Sequence, residues 1–312
     1  GVNPDNVSVS NTDDDAAALL ISPLTVNVTE GGATDTYTVA LASEPVIDAV
    51  LELSFGGQVM LSTNGTDFFT SPVLLTFTSA NWNSPRTVTV RAVDDAVVEG
   101  PHNTDIDHEV LSGDGAYTSL PITSVNANIT DNDAAGVAIT QTGGANAVSE
   151  SGGTDTYTIV LGSQPTATVN LAISFPASEL TVNGDTDGTY NTTFTTANWA
   201  TPQIITLAAV NDRALEGDHS GTLTHVFSSS DATYNGVTAN VDGGAASNSL
   251  TVAISDNESA VLEWVPTSGS ASEGSSNMTS VRLDITADPV GGTPTLDGSI
   301  SYTLTPSFGT AE

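Results

Sequence analysis

Cysteine and lysine are both absent from the sequence. Without cysteine there are no disulfides and no thiolate metal ligands. Without lysine there is no Schiff-base chemistry and no lysine-to-asparagine isopeptide crosslink. Positive charge is scarce altogether: four arginines (Arg86, Arg91, Arg213, Arg282) stand against 37 acidic residues, a formal charge of −33. A chain this acidic repels phosphate backbones, which excludes nucleic acid as a partner. Aromatic residues make up only 5%. No apolar run approaches the roughly 18 residues of a membrane-spanning helix, and the stretch after Gly1 does not read as a signal peptide.

What is present repeats itself. TEGGATDTYTVALASEP (residues 29–45) recurs as SESGGTDTYTIVLGSQP (149–165), 120 positions later. FTSANWNSPRTVTVRAVDDAVVEG (77–100) recurs as FTTANWATPQIITLAAVNDRALEG (194–217), 117 later, and ITDNDAAGV (129–137) as ISDNESAVL (254–262), 125 later. Three blocks in one order at nearly one spacing define a repeat of about 120 residues. VSVSNTDDDAA (7–17) matches VNANITDNDAA (125–135), so residues 1–15 read as the last strand of a preceding repeat. Residues 16–133 and 134–257 are then two full repeats, and 258–312 an incomplete third, with Glu273 in the place of Glu30 and Glu150. Two readings of the ends stay open: a piece of a longer array, or a subunit completed by strand exchange with a neighbour.

Within a repeat the apolar residues alternate. Tyr37, Val39 and Leu41 share one strand face, as do Val88, Val90 and Ala92. Further strands are expected over 50–55, 73–77, 104–110 and 125–129, and no helical spacing persists over three turns. Val and Thr suit a half-buried pleated surface, and Gly, Pro, Asn and Asp punctuate the runs. The expected fold is all-β: tandem immunoglobulin-like antiparallel sandwiches. Phe77, Trp82, Phe194 and Trp199 are expected to anchor the cores.

The acids bunch where strands end: Glu30 after 26–28, Asp94, Asp95 and Glu99 after 88–93, and Asp131 and Asp133 after 125–129. Gathered at one tip they would repel, at about 4 kcal/mol for two carboxylates ~4 Å apart at an effective dielectric of 20. A hard divalent cation relieves this. Calcium accepts six to eight oxygens in flexible geometry, whereas zinc or copper wants His or Cys. The plain alternative is solvated loop-end charge.

The opening Glu with Gly-Gly, the GTDF segment (Gly65, Thr66, Asp67, Phe68), the DD…EG block and the closing DND together resemble the Calx-beta family, and most closely its bacterial surface version. The resemblance covers residues 1 to about 290. It implies calcium bound in the first repeat by Glu30, Asp94, Asp95, Glu99, Asp131 and Asp133. In the second it implies Glu150, Asp212, Glu216, Asp256 and Glu258. There Asn211 replaces the first Asp of the pair and Arg213 follows it, so weaker or fewer ions are expected. Asp13, Asp14 and Asp15 are candidate ligands at a junction between repeats.

Two further patterns bear on metals. Asn183, Asp185, Asp187 and Gly188 place oxygens as an EF-hand loop does, but Phe194 stands at the twelfth position, so a turn with at most a weak ion is expected. His102 and His108 recur as His219 and His225. Six residues of strand span about 20 Å, too far to share an ion, so packing or cross-strand hydrogen bonding is expected.

No nucleophile–base set and no phosphate loop appears. Paired carboxylates also serve glycoside hydrolysis, but acids that recur in every repeat suit an ion site better than one active centre. The chain therefore reads as a non-catalytic, extracellular, calcium-stiffened stalk or fibre of a surface protein. The alternative is a filament subunit joined head-to-tail by strand exchange between the N-terminal strand (7–9) and the incomplete C-terminal repeat. Expected partners are neighbouring repeats or like subunits, with a cell-surface glycan or another surface protein beyond them.

Overall fold

The computed structural model describes residues 8–12, 14–265, 280–286 and 295–296. The chain divides into two compact units, residues 1–134 and 135–312. The first contains β1 (Leu19–Ser22), β2 (Thr25–Thr29), β3 (Asp35–Leu41), β4 (Ala49–Phe55), β5 (Val59–Ser62), β6 (Val73–Phe77), β7 (Arg86–Ala92), β8 (His102–Ser112) and β9 (Val125–Thr130). They form two sheets, ordered β1-β3-β7-β5 and β2-β9-β8-β4-β6. Every pairing is antiparallel except β2 with β9.

The second unit contains β10 (Val137–Gln141), β11 (Asn146–Ser149), β12 (Thr154–Leu161), β13 (Val169–Ser174), β14 (Leu180–Val182), β15 (Thr189–Phe194), β16 (Gln203–Ala209), β17 (Ala214–Leu215), β18 (His219–Ser229), β19 (Asn240–Val241) and β20 (Ser249–Ser255). Its sheets run β14-β16-β12-β10-β19 and β11-β20-β18-β13-β15. This is the first unit's order strand for strand, with β19 added at one edge. The chain is all-β, a tandem of immunoglobulin-like sandwiches. Among the described residues no helix is long and apolar enough to cross a membrane.

Period-two patterning places the cores. Val88, Val90 and Ala92 of β7 are buried together with Tyr37, Val39 and Leu41 of β3 and, from the facing sheet, Val26, Leu51, Leu53, Ile106 and Val125. Each core also takes in a histidine. His108 Nε2 lies 3.1 Å from Tyr37 Oη and His225 Nε2 2.9 Å from Tyr157 Oη, both ring pairs edge-to-face. Burial pushes His108 down to about 4, so its imidazole is neutral at physiological pH. Tyr117 donates to Ser43 O at 2.6 Å, and Tyr234 does the same to Ser163 O at 2.8 Å.

Several expectations are corrected. Phe77 and Phe194 are fully buried, but Trp82 and Trp199 are only partly so. The reason is local: Trp82 sits in a turn, its N–H donating to Thr78 O at 3.0 Å. Both tryptophans pack against the cores, and the fully buried aromatics beside Phe77 and Phe194 are Tyr37, Tyr117, Tyr157, Tyr234 and Phe227. Strands β1 and β5 went unread, being four residues each among Ser and Pro. Residues 8–12 and 14–15 form no strand. Val7, Asp13 and Glu273 lie outside the described residues. Of 258–312, β21 (Ser259–Val265) and β22 (Ser280–Thr286) pair antiparallel, and β23 (Thr295–Leu296) runs parallel to β17.

The register of β6 supplies a test. Leu75 is buried and its neighbour Leu74 is 55% exposed. Leu75→Ala is expected to cost about 2–5 kcal/mol in urea unfolding, and Leu74→Ala less than about 0.5 kcal/mol. Equal costs would mean the strand faces are assigned wrongly.

Candidate metal centre

Topology gathers the acids. Because β2 and β9 are parallel, with Val28 beside Ile129, both run out at the same tip, into Glu30 and into Asp131–Asp133. β8 is antiparallel to β9 and starts there, with His102 opposite Ile129. β7, from the other sheet, exits into Asp94 and Asp95. The second unit repeats this arrangement with β11, β20, β18 and β16.

In the first unit Glu30 is 2% exposed, and neither of its carboxylate oxygens finds a hydrogen bond among the described residues. Its backbone is fixed by Glu30 N–H to Thr130 O at 3.1 Å. Carboxylate oxygens of Glu30, Asp131 and Asp133 lie within 4.8 Å of one another, and so do ligand atoms of Glu30, Glu99 and His102. Asp131 is held from both sides: Oδ2 accepts from Glu99 N (2.8 Å) and Gly100 N (2.6 Å), and Oδ1 from Asp133 N (2.8 Å). These donors, Asp133 N–H first, hold its carboxyl below the usual range. Glu30 is pushed the other way, by burial first and then by Asp131, Asp95 and Glu99. Asp133 is raised by burial and by Asp131, Asp95 and Asp94, and its Oδ2 has no partner.

Asp94 and Asp95 thus lie within electrostatic reach but outside the two tight triads. Asp94 Oδ1 accepts from Asn132 Nδ2 at 3.2 Å, and Asp95 Oδ1 from Val97 N at 2.8 Å. Glu99 Oε1 accepts from Gln58 Nε2 at 2.7 Å.

The second unit brings Glu150, Asp256 and Glu258 within the same 4.8 Å limit. Asp256 Oδ2 accepts from Glu216 N and Oδ1 from Glu258 N, each at 2.8 Å. Burial works to raise Asp256, but these N–H donors and that of Gly217 outweigh it and leave it low. Glu150, 4% exposed, is pushed up to about 7 by burial, by a hydrogen bond shared with Glu258 and by the charges of Glu258, Asp256 and Asp212. Asp212 Oδ1 accepts from Ala214 N at 2.7 Å. Asn211 Oδ1 and both amide atoms of Asn257 are buried without hydrogen-bond partners.

Sequence reasoning missed two groups. His102 and His219 belong to the tips and not to the packing class: Glu179, Glu216 and His219 form a third kind of cluster. His219 Nε2 lies 3.0 Å from Glu179 Oε2. Burial works to lower His219, but the Gly217 carbonyl, Glu179 and Glu216 win and raise it. Glu179 carried no repeat signal, because Gln58 occupies its place in the first unit. Each main-chain oxygen of this pair accepts the N–H just after its strand, from Val93 and Val210 respectively, at 2.9 Å.

Other candidates do not gather. Asn183, Asp185 and Asp187 are exposed. Asn183 Oδ1 is spent on Thr206 N at 2.8 Å and Asp187 Oδ1 on Thr189 N at 3.1 Å. Asp14 and Asp15 are exposed. Asp15 lines a surface depression with Ser43, Glu44 and Asp114, past the far end of β3 from Glu30.

The donor set fits a hard divalent cation: clustered oxygens, some buried and unsatisfied, with no disulfide or lysine nearby. Glu30, Asp131 and Asp133 would hold calcium in the first unit, and Glu150, Asp256 and Glu258 in the second.

No protein-family model matches the chain, and no curated protein does. Among solved structures it is similar to the apo-form Calx CBD1 domain, at 18% identity over 38% of this chain and 100% of that one, TM-score 0.29. It is similar also to CBD12 from CALX1.2, at 14% identity over 76% and 98%, TM-score 0.28. A third is the titin domains z1z2 in complex with telethonin, at 10% identity over 78% and 98%, TM-score 0.30.

The raised Glu150 gives stability a pH dependence. Its folded pKa of about 7 lies above the ordinary 4.5, so its contribution is fully present below pH 4.5 and is lost as pH rises through 7. In chelator, the melting temperature of wild type is expected to fall relative to Glu150→Gln between pH 5 and 8. Parallel curves for the two proteins would show that Glu150 ionises freely.

Proposed function

We propose that the chain is a non-catalytic, extracellular β-sandwich array whose acidic tips bind calcium, which stiffens each repeat as part of a structural or adhesive stalk. One observation carries this: Glu30, almost fully buried, presents two unpartnered carboxylate oxygens to Asp131 and Asp133. A carboxylate removed from water without a partner costs several kcal/mol, and four arginines in 312 residues leave little protein charge to offset it. Recurrence of the same geometry at Glu150 supports a structural ion over a single reactive centre. Lack of cysteine and lysine supports it too, because no covalent crosslink is available to do the stiffening.

A melt in calcium and in excess chelator, run beside size exclusion, tests this. At calcium 100 times the dissociation constant each site adds about 2.7 kcal/mol, a rise on the order of 10 °C for a repeat of this size. Asp131→Asn with Asp133→Asn should remove the first unit's share. Unchanged melting and hydrodynamic length would sink the proposal, and calcium-driven large species would bring the filament forward.

A further inference from the structure

Strands β8 and β18 both open on a histidine at the acidic tip, but the two rings differ in what they lack. His219 has both nitrogens engaged, Nδ1 2.9 Å from Gly217 O and Nε2 3.0 Å from Glu179 Oε2. His102 keeps only the first contact, Nδ1 2.8 Å from Gly100 O. The second is missing because Gln58 stands in Glu179's place and turns its amide to Glu99 Oε1.

A carbonyl oxygen accepts and never donates, so the Gly100 contact places a proton on His102 Nδ1. The neutral ring then offers its lone pair at Nε2. That atom is buried without a hydrogen bond and faces Glu99 Oε2 at 3.5 Å. The Glu99 carboxylate stands opposite it, and Glu30, 2% exposed with both oxygens unpartnered, completes the group within 4.8 Å.

We propose that the first unit carries a second cation site, for a borderline transition-metal ion of the zinc class. Its ligands are His102 Nε2, Glu99 and Glu30, and Glu30 bridges to Asp131 and Asp133. An imidazole nitrogen with two carboxylates is a zinc donor set, whereas calcium takes oxygen alone. A carbonyl holding the far nitrogen is the outer-shell partner that fixes the tautomer of a metal-binding histidine. The His102 and Glu99 side chains are 21% and 26% exposed, so an ion reaches the site from solvent. Zinc bonds of about 2.0–2.2 Å need the three groups to close slightly, which the partly exposed Glu99 allows. The second unit has the matching group of Glu179, Glu216 and His219, but there His219 Nε2 is already held by Glu179 Oε2 at 3.0 Å, a contact zinc would have to displace.

The test is a calorimetric titration of Zn2+ alone into the full chain, held in millimolar calcium, with imidazole 15N spectra recorded in parallel. One zinc per chain is expected, with the shift confined to His102 Nε2. His102→Ala and Glu99→Gln should each weaken binding at least about tenfold, the scale set even by loss of an outer-shell partner. His219→Ala should leave it. Melting of each variant in calcium checks folding, and Glu99→Gln serves should His102→Ala not fold. Displacement of zinc by calcium, unchanged affinity in Glu99→Gln, or loss in His219→Ala would overturn the assignment. Absence of zinc binding with a calcium-raised melt would remove this site and leave the calcium proposal. Zinc binding without any calcium effect would do the reverse.

Discussion

A carboxylate that ends a strand inside the protein must be answered by positive charge or by a proton, and neither tip has much of either. Glu30 cannot swing out to water. Its N–H is tied to Thr130 O, and the next residue, Gly31, sits at φ +60 with Asn132 Nδ2 and Asp94 Oδ1 only 3.0 and 3.1 Å from where a Cβ would be. The backbone passes through a left-handed turn closed against the acids it joins, a place that glycine alone fills without strain. The parallel β2–β9 pair then fixes Asp131 and Asp133 beside it. Sheet topology forces the charges together, and solvent cannot take them apart.

The two units relieve this constraint differently. In the first, Gln58 hydrogen-bonds Glu99, while Glu30, Asp133 and His102 keep unsatisfied atoms. In the second, Glu179 replaces Gln58 and pairs with His219, Asn211 removes one acid, and Glu150 shares a hydrogen bond with Glu258. Both tips nevertheless keep buried atoms without hydrogen bonds: the Glu30 carboxylate in the first, and Glu150 Oε2, Asn211 Oδ1 and the Asn257 amide in the second. Each leaves polar groups that an ion from outside would answer.

The strand faces were legible because β geometry has period two. Val88, Val90 and Ala92 could face only one way, and the structure buries all three. The acids at strand ends were legible because they follow those runs. The tryptophans pack against the cores without being fully buried, because the Asn-Trp pair builds a turn: Asn81 Oδ1 accepts from Thr78 N at 2.8 Å. The histidines show a subtler limit. The spacing argument that separated His102 from His108 by about 20 Å was sound, yet it was read as giving both one role. That distance puts His108 in the core and His102 at the tip. Glu179 had no signal at all, since repetition exposes only what both copies share.

The tip ligands come from both sheets: Asp94 and Asp95 follow β7, and Glu30, His102, Asp131 and Asp133 flank β2, β8 and β9. An ion that drew in Asp94 or Asp95 beside Glu30, Asp131 and Asp133 would link the two layers at one end. Linking distant segments stabilises a fold chiefly by restricting the unfolded chain, and the gain grows with the loop enclosed. Glu30 and Asp131 follow neighbouring strands of one sheet and enclose most of a repeat, so an ion between them would close a loop as long as a long-range disulfide does. The difference is reversibility. A disulfide persists until it is reduced, whereas a carboxylate-held ion follows its concentration outside. The same carboxylates that favour folding when the cation is present oppose it when the cation is gone. β8 carries this to the core, because it spans from His102 at the tip to His108 against Tyr37, and it pairs with both β9 and β4. Loosening its first residues would remove support from a strand central to its sheet, the route by which an ion at the tip would act on the whole sandwich.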